Sequence, residues 1–436
     1  MKFLAAFSFL LLLPAVHLAQ SEWPQFRGPS GDGITASAAP LEWSEEKGVS
    51  WKTGVPGKGW SSPVVADGRI WLTSAVEVLP TQEEKAALLS GVEANKHKVR
   101  QVAKAIQLLV LGYDLETGAK IAEHVIQEIA EPGAIHSLNS YASPTPVVEN
   151  GRLYAHFGTY GTSCLDPISG QVFWNRQFKI DHSVGPGSSP FLHGNLLVLI
   201  CDGTDAQYVV AVDKSSGETV WKTDRPEMRA SVGDRKKAYS TPIVAEVNGR
   251  DQLVCMGSQW LVAYEPATGK ELWKVDHGSG FSVVPRPVVA HDHVYVSTGF
   301  GKPELWAVKT DGAGEVTESH VSWKQPKRIP SKPSPVVVGD EIYVMQDGGV
   351  LSCFDVHTGE DHYVERVGGN YSASPLVAGD RLYFFSQEGK TTVLALGSKF
   401  EVLAENLLEG QIMASPGVVD GSMILRTDTA LYRIGE

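Results

Sequence analysis

Residues 335–344 read PVVVGDEIYV: a proline, three valines, a Gly-Asp pair and a second apolar run. Valine and isoleucine favour strands, proline is tolerated at a strand's start, and a Gly-Asp pair between two apolar runs marks a tight hairpin. The phrase returns at Pro63 (PVVADGRIWL), Pro146 (PVVENGRLYA), Pro190 (PFLHGNLLVL) and Pro242 (PIVAEVNGRDQLVC). It recurs at Pro287 (PVVAHDHVYV), Pro375 (PLVAGDRLYF) and Pro416 (PGVVDGSMIL). The eight anchors stand 83, 44, 52, 45, 48, 40 and 41 residues apart. A period of about 40–45 residues with four short strands per unit is the mark of a β-propeller. The sequence therefore predicts an all-β, eight-bladed propeller. Any ligand chemistry then belongs to the loops around its central channel.

The second half of the repeat agrees. A further apolar strand ends in a turn, and a strand carrying Trp follows. The copies are Leu165-Asp166…Gly170…Trp174, Val212-Asp213…Gly217…Trp221 and Tyr264-Glu265…Gly269…Trp273. Phe354-Asp355…Gly359 is followed by Tyr363, and Tyr113-Asp114…Gly118 has no Trp after it. Asp caps its own turn, and Gly supplies the positive φ. The recurring Trp is expected to pack the outer strand onto the next blade. The eighth copy ends one strand short, at Leu431-Tyr432-Arg433-Ile434. Val49-Ser50-Trp51-Lys52 repeats the outer-strand phrase Val321-Ser322-Trp323-Lys324, so the N-terminal strand is expected to close the last blade.

The chain has 436 residues and a net charge of −12, which argues against nucleic acid or anionic lipid as partner for the whole surface. Lys2, the apolar run Phe3 to Val16 and Ala19-Gln20-Ser21 read as a cleaved signal peptide over residues 1–21. That run is short for a membrane span, no other stretch approaches one, and no cysteine follows to carry a lipid anchor. The expectation is a soluble, monomeric, periplasmic or secreted protein. An extension covers residues 22–46 and a single propeller covers 47–436. Cys164 and Cys353 fall at the same third-strand position in blades two and six, so buried free thiols are expected. With no CxxC or CxxCH, haem c and common zinc arrangements drop out.

The alternation of Ser-Pro-Val-Val with Asp-x-x-Thr-Gly-x-x-x-Trp resembles the repeat of pyrroloquinoline quinone (PQQ) proteins, the quinoprotein alcohol dehydrogenase-like type. It runs from about residue 48 to 436. Trp23-Pro24-Gln25-Phe26-Arg27-Gly28-Pro29, Tyr160-Gly161-Thr162, Gly187-Ser188-Ser189-Pro190, Cys201-Asp202-Gly203-Thr204-Asp205 and Asn370-Tyr371-Ser372 fit the exported PQQ-like proteins of planctomycete type. The resemblance implies the propeller. For activity it implies two things, because the repeat serves both quinone dehydrogenases and the non-catalytic BamB-like propellers of outer-membrane assembly. The dehydrogenases commonly carry an adjacent-cysteine disulfide and hold calcium through carboxylates. This chain lacks the cysteine pair, and Asp202 with Asp205 supplies too few of calcium's six to eight oxygens. The pair reads as a hairpin tip. No cofactor is expected, with PQQ and calcium as the alternative.

The segment entering each blade's first strand opens onto one mouth of the channel. Among these segments, Lys58, Trp60, His136, Tyr141, His182, Arg229, Lys237, Tyr239, Arg286, Lys332 and Tyr371 form the candidate ligand set. Asn139, Arg235, Lys236, Phe281, Lys327, Arg328 and Asn370 stand beside them. Cations mixed with aromatics suit an anion, a glycan or an acidic segment of a protein partner. A solvated rim is the bland reading of the same residues. His136 and His182 have no recognisable nucleophile motif with them, so no catalytic residue or metal ligand is assigned. The functional expectation is a binding or assembly scaffold, with a quinone-dependent oxidoreductase of alcohols or sugars, or a carbohydrate- or anion-binding module, as the alternatives.

The long first spacing holds an insertion. Thr81-Gln82-Glu83-Glu84 resembles a capping box. Leu88, Val92, Val99, Val102, Ala103, Ile106 and Leu109 follow near helical spacing. The pattern predicts roughly 25 helical residues within about 77–110, packing back on the propeller or presenting a face to a partner.

Overall fold

A computed structural model describes residues 22–92 and 99–435. The expected signal peptide over 1–21 lies outside the described residues. Eight sheets, each built on four antiparallel strands, stand in a ring, and Ile34–Thr35 adds a parallel strand to the inner edge of blade 7 and Gly314–Glu315 one to the outer edge of blade 4. The proline phrase supplies the inner pair in every blade. In blade 6, Val336–Val338 pairs with Glu341–Met345, then Val350–Asp355 and Asp361–Arg366 follow outward. Blade 8 is built from Gly417–Val419, Ser422–Arg426 and Ala430–Ile434, and Val49–Gly54 completes it from the other end of the chain. Thr53 lies opposite Leu431 and Lys52 opposite Tyr432. The expected closure is present.

The apolar core lies between blades rather than at the ring's centre. One cluster joins Trp71 and Val110 of blade 1 to Leu153 and Phe157 of blade 2. Another joins Tyr295 and Ala307 of blade 5 to Ile342 and Phe354 of blade 6. The outer-strand tryptophans fasten this packing. Trp174 Nε1 donates to the Lys214 carbonyl of the next blade at 3.1 Å, Trp221 to Pro266 at 2.9 Å, Trp323 to Val356 at 3.0 Å and Trp51 to Leu115 at 3.0 Å. Each indole covers the turn glycine of that neighbour: a Cβ on Gly217, Gly269, Gly359 or Gly118 would come within 2.4–2.6 Å of the ring. Glycine is needed there twice over, for positive φ and for the close approach. In blade 1, which lacks the Trp, His124 covers Gly170 and its Nε2 meets the Pro167 carbonyl at 2.8 Å.

The insertion differs from expectation. Its helix is Gln82–Leu88, seven residues, with the predicted capping box formed by Thr81 and Glu84. Val102 lies in a short strand, Arg100–Val102, and Ile106 and Leu109 lie in Ala105–Asp114 of blade 1. That strand is buried on both faces over most of its length, so its apolar run lacks the alternation that would have distinguished it from a helix. Residues 93–98, in the middle of the predicted helix, lie outside the described residues. The insertion packs back: Arg100–Val102 pairs with Ala134–His136 at the entrance to blade 2.

Asp202 is no hairpin tip. It is fully buried and accepts from Arg225 Nε at 3.1 Å and Nη2 at 2.9 Å, while Arg225 Nη1 donates to the Cys255 carbonyl at 3.0 Å. Asp205 instead accepts the Asp181 amide at 2.7 Å. The four cysteines are free and buried. Burial pushes the Cys201 and Cys255 thiols up to about 12.

Replacing one member of a buried ion pair strands the other. Asp202→Ala should lower unfolding free energy by about 3–5 kcal/mol in urea titration, whereas Asp205→Ala, which removes an exposed cap, should change it by less than about 1 kcal/mol.

Candidate functional site

The extension enters the channel and plugs it. Trp23 pairs with Val65 of the blade 1 inner strand, and the Pro24 carbonyl accepts the Val148 amide of blade 2 at 3.0 Å. The segment then turns inward. Phe26 O accepts from Arg286 Nη1 of blade 5 at 2.7 Å, and Arg27 Nη2 donates to the Pro335 carbonyl of blade 6 at 2.9 Å. It leaves along blade 7, where Ile34–Thr35 pairs in parallel with Leu376–Ala378. Gly31 packs flat on the Arg286 guanidinium, where a Cβ would come within 2.4 Å. Burial lowers Arg27 to about 10 and Arg286 to about 9, so both stay cationic at neutral pH.

Above the plug, the residue before each anchor proline lines the channel. Seven are Ser or Thr: Ser62, Thr145, Ser189, Thr241, Ser334, Ser374 and Ser415; the eighth is Arg286. Backbone and hydroxyl link blade to blade. Ser62 N donates to Thr145 Oγ1 at 2.9 Å, Thr145 N to Ser189 Oγ at 3.0 Å, and Ser189 N to Thr241 Oγ1 at 3.1 Å. Arg286 N continues to Ser334 Oγ at 3.0 Å, Ser334 N to Ser374 Oγ at 3.1 Å and Ser374 N to Ser415 Oγ at 2.9 Å. The seven hydroxyl residues, with Phe26 beneath them, enclose a cavity of about 510 Å³.

The mouth carries charge and aromatic surface. Trp60, His136, Lys237, Tyr239, Phe281, Phe300, Lys332 and Asp347 line it. Leu138 N donates to His136 Nδ1 at 3.1 Å, which places the ring proton on Nε2. Burial lowers the His136 pKa, and Arg100, Lys332 and Lys237 lower it further. Lys237 pairs with Asp234 at 2.5 Å. Asp347 Oδ1 accepts the Ser331 and Lys332 amides at 2.9 and 3.2 Å, and burial raises its pKa against the pull of Lys332.

Of the eleven predicted residues, Trp60, His136, Lys237, Tyr239 and Lys332 are brought together. Lys58 stands behind Trp60, its Nζ 5.3 Å from that ring and bonded to Gln101 Oε1 at 2.9 Å. Tyr141 belongs to the core between blades 1 and 2; its hydroxyl donates to the Gly133 carbonyl at 2.7 Å. Tyr371 is core between blades 6 and 7. His182 is buried against Tyr239. Arg229 is exposed and held by Asp276. Arg286 is the plug's anchor, with its Nε on the Pro242 carbonyl at 3.0 Å. An x-Pro position says where the backbone lies, but not whether a long side chain points up to the mouth or down to the plug. Phe26, the hydroxyl ring, Phe300 and Asp347 were missed; the repeated Ser-Pro was the available signal for the ring.

A calcium-held quinone does not fit this lining. Calcium takes six to eight oxygens, commonly from several carboxylates. Among the described residues the cavity presents one carboxylate, Asp347, and an oxygen of that group already serves two amides.

The family model for the outer membrane protein assembly factor BamB matches residues 37–223 and 205–433. BamB of Moranella endobia (strain PCIT) is 27% identical over 187 residues, 40% of this chain and 46% of that protein. BamB of Yersinia pestis is 25% identical over 214 residues, 43% and 52% of the two chains. The chain thus spans about half the length of the curated relatives it matches. Among solved structures, BamB from Moraxella catarrhalis superposes with a TM-score of 0.53 at 14% identity, covering 77% of this chain and 96% of that one. A europium-containing methanol dehydrogenase superposes at 0.65 with 10% identity, covering 93% and 89%. At such identities the likeness is one of fold.

Burial lowers His182 to about 4 and the neighbouring His156 to about 3. The unfolded chain takes up these protons near pH 6.5 and the folded chain does not, so stability rises with pH across that window. The contribution should be complete above about pH 6.5 and fall away toward pH 4. Urea midpoints at pH 7 and pH 5 measure it, and His182→Gln should narrow the difference between them.

Proposed function

The chain belongs to the family of the outer membrane protein assembly factor BamB, and from that premise we propose that it is an extracytoplasmic, non-catalytic binding scaffold that takes an acidic segment of a protein partner into its channel mouth. Among the described residues, no helix is long and apolar enough to cross a membrane. The observation that carries the reading is the mouth itself: Arg100, Lys237 and Lys332 gather around His136 on a chain whose net charge is −12. The cavity beneath is a cup, because the plug fills its floor. A cup of about 510 Å³ admits side chains or a chain end and does not pass a strand through the ring. Hydroxyls on the wall offer donors and acceptors without fixing one ligand geometry. Trp60 adds an aromatic face, and its buried Nε1 has no hydrogen-bond partner among the described residues.

Electrostatic recognition of this kind weakens with salt and reverses when the charge is reversed. Titration with a fluorescent oligoglutamate peptide should show saturable binding that falls between low and physiological ionic strength. Lys237→Glu with Lys332→Glu should weaken it at least about tenfold, about 1.4 kcal/mol. An oligolysine peptide should not bind. Equal affinity in the double variant, or a preference for neutral glycans over the acidic peptide, overturns the reading.

A further inference from the structure

We propose that the chain holds a Zn²⁺ ion between blades 5 and 6, on the face opposite the channel mouth, through His291, Asp340 and His357. The three residues come from three separate turns. His291 stands in the hairpin between Val288–Ala290 and His293–Ser297, and Asp340 in that between Val336–Val338 and Glu341–Met345. His357 stands in the turn between Val350–Asp355 and Asp361–Arg366. Ring assembly brings the three turns to one point, where a nitrogen of each imidazole and a carboxylate oxygen all lie within 4.8 Å of one another. His357 Nε2 is already 3.1 Å from Asp340 Oδ1, and the two imidazole centroids are 4.8 Å apart. A tetrahedral ion with bonds of about 2.0–2.1 Å holds its donors about 3.3–3.5 Å apart, so small side-chain rotations close the set.

The donor chemistry selects the ion. Two imidazoles and one carboxylate suit zinc and its borderline neighbours, whereas calcium and magnesium want oxygen alone. One supporting contact orients His291 as metal-binding histidines require, and the turn carrying His357 is held by its own capping. His291 Nε2 sits 2.7 Å from the Gly339 carbonyl, which places the proton there and leaves the Nδ1 lone pair available. The His357 amide donates to Asp355 Oδ1 at 3.0 Å. All three side chains are exposed, so an ion reaches them from solvent, and the fourth position stays open to water or to a partner's side chain.

The repeat supplies an independent reason. The turn position of His357 holds Glu116, Ile168, Ser215 and Ala267 in other blades. Where blade 5 has His291-Asp292, blades 1, 2 and 8 have Asp67-Gly68, Asn150-Gly151 and Asp420-Gly421. His291 and Asp292 both take positive φ, 49° and 58°, so blade 5 keeps a left-handed pair without the glycine that makes it easy. Two departures from the repeat thus meet at one blade junction, and both introduce histidine.

The test uses untagged protein and zinc chloride alone, followed by calorimetry, with Co²⁺ as a spectroscopic substitute. One equivalent should bind, with tetrahedral Co²⁺ absorption bands and a zinc-dependent rise in melting midpoint. His291→Asn keeps the left-handed turn, and His357→Ala removes an exposed ring. Each should weaken zinc binding at least about tenfold while leaving the metal-free melting midpoint unchanged. Absence of saturable uptake, or uptake unchanged in the double variant, overturns the proposal.

Discussion

Eight sheets that each bury their faces against neighbours have no stable arrangement until the ring is complete. The pairing of Val49–Gly54 with Ala430–Ile434 completes it. Without that strand, blade 8 would present an open edge, and the apolar surface between blades 8 and 1 would lose its outer wall. The tryptophan locks work under the same constraint. Trp51, carried on the closing strand, donates to Leu115 and covers Gly118 of blade 1, so the contact that seals blade 8 also seals the junction to its neighbour. Between blades 4 and 5 the lock is absent: Trp273 turns to Gln252 of its own blade at 2.6 Å. That junction relies on apolar packing by Trp306, Val308 and Val316.

The plug changes what the ring can do. A bare propeller offers a passage, and this one offers a cup with a hydroxyl wall and a charged lip. The same guanidinium that breaks the Ser/Thr series at Arg286 holds the plug in place. One exception to the repeat therefore converts the channel into a cavity. Charge follows the same division of labour: Arg286 and Arg27 sit on the floor, while Lys237, paired with Asp234, and Lys332 stand at the lip.

Much of the ring was legible because each feature recurs. Pro-apolar-turn-apolar marked the inner hairpins, Asp-x-x-Thr-Gly with Trp marked the blade junctions, and the Val-Ser-Trp-Lys echo marked the closing strand. What occurs once was harder. The run from Val99 to Leu109 matched helical spacing, yet residues 105–114 form a strand buried on both faces, and periodicity cannot separate those cases. Tyr141, Tyr371 and His182 sit in the expected loops but point into the core. Loop membership places a Cα and does not aim a side chain. Asp202 was read as a turn residue because its partner, Arg225, lies 23 positions away, just past the outer strand of the same blade.

The closing strand has a consequence for the order of events in the cell. Trp23 to Gly54 is translated before any blade exists, yet its partners include Val377 and Leu431, which come among the last. The ring therefore cannot mature as the chain emerges. Trp23 meets Val65 once blade 1 is made, but Ile34–Thr35 and Val49–Gly54 gain their sheet partners only with blades 7 and 8. A chain made in one direction gains this closure only when Ala430–Ile434 meets Val49–Gly54.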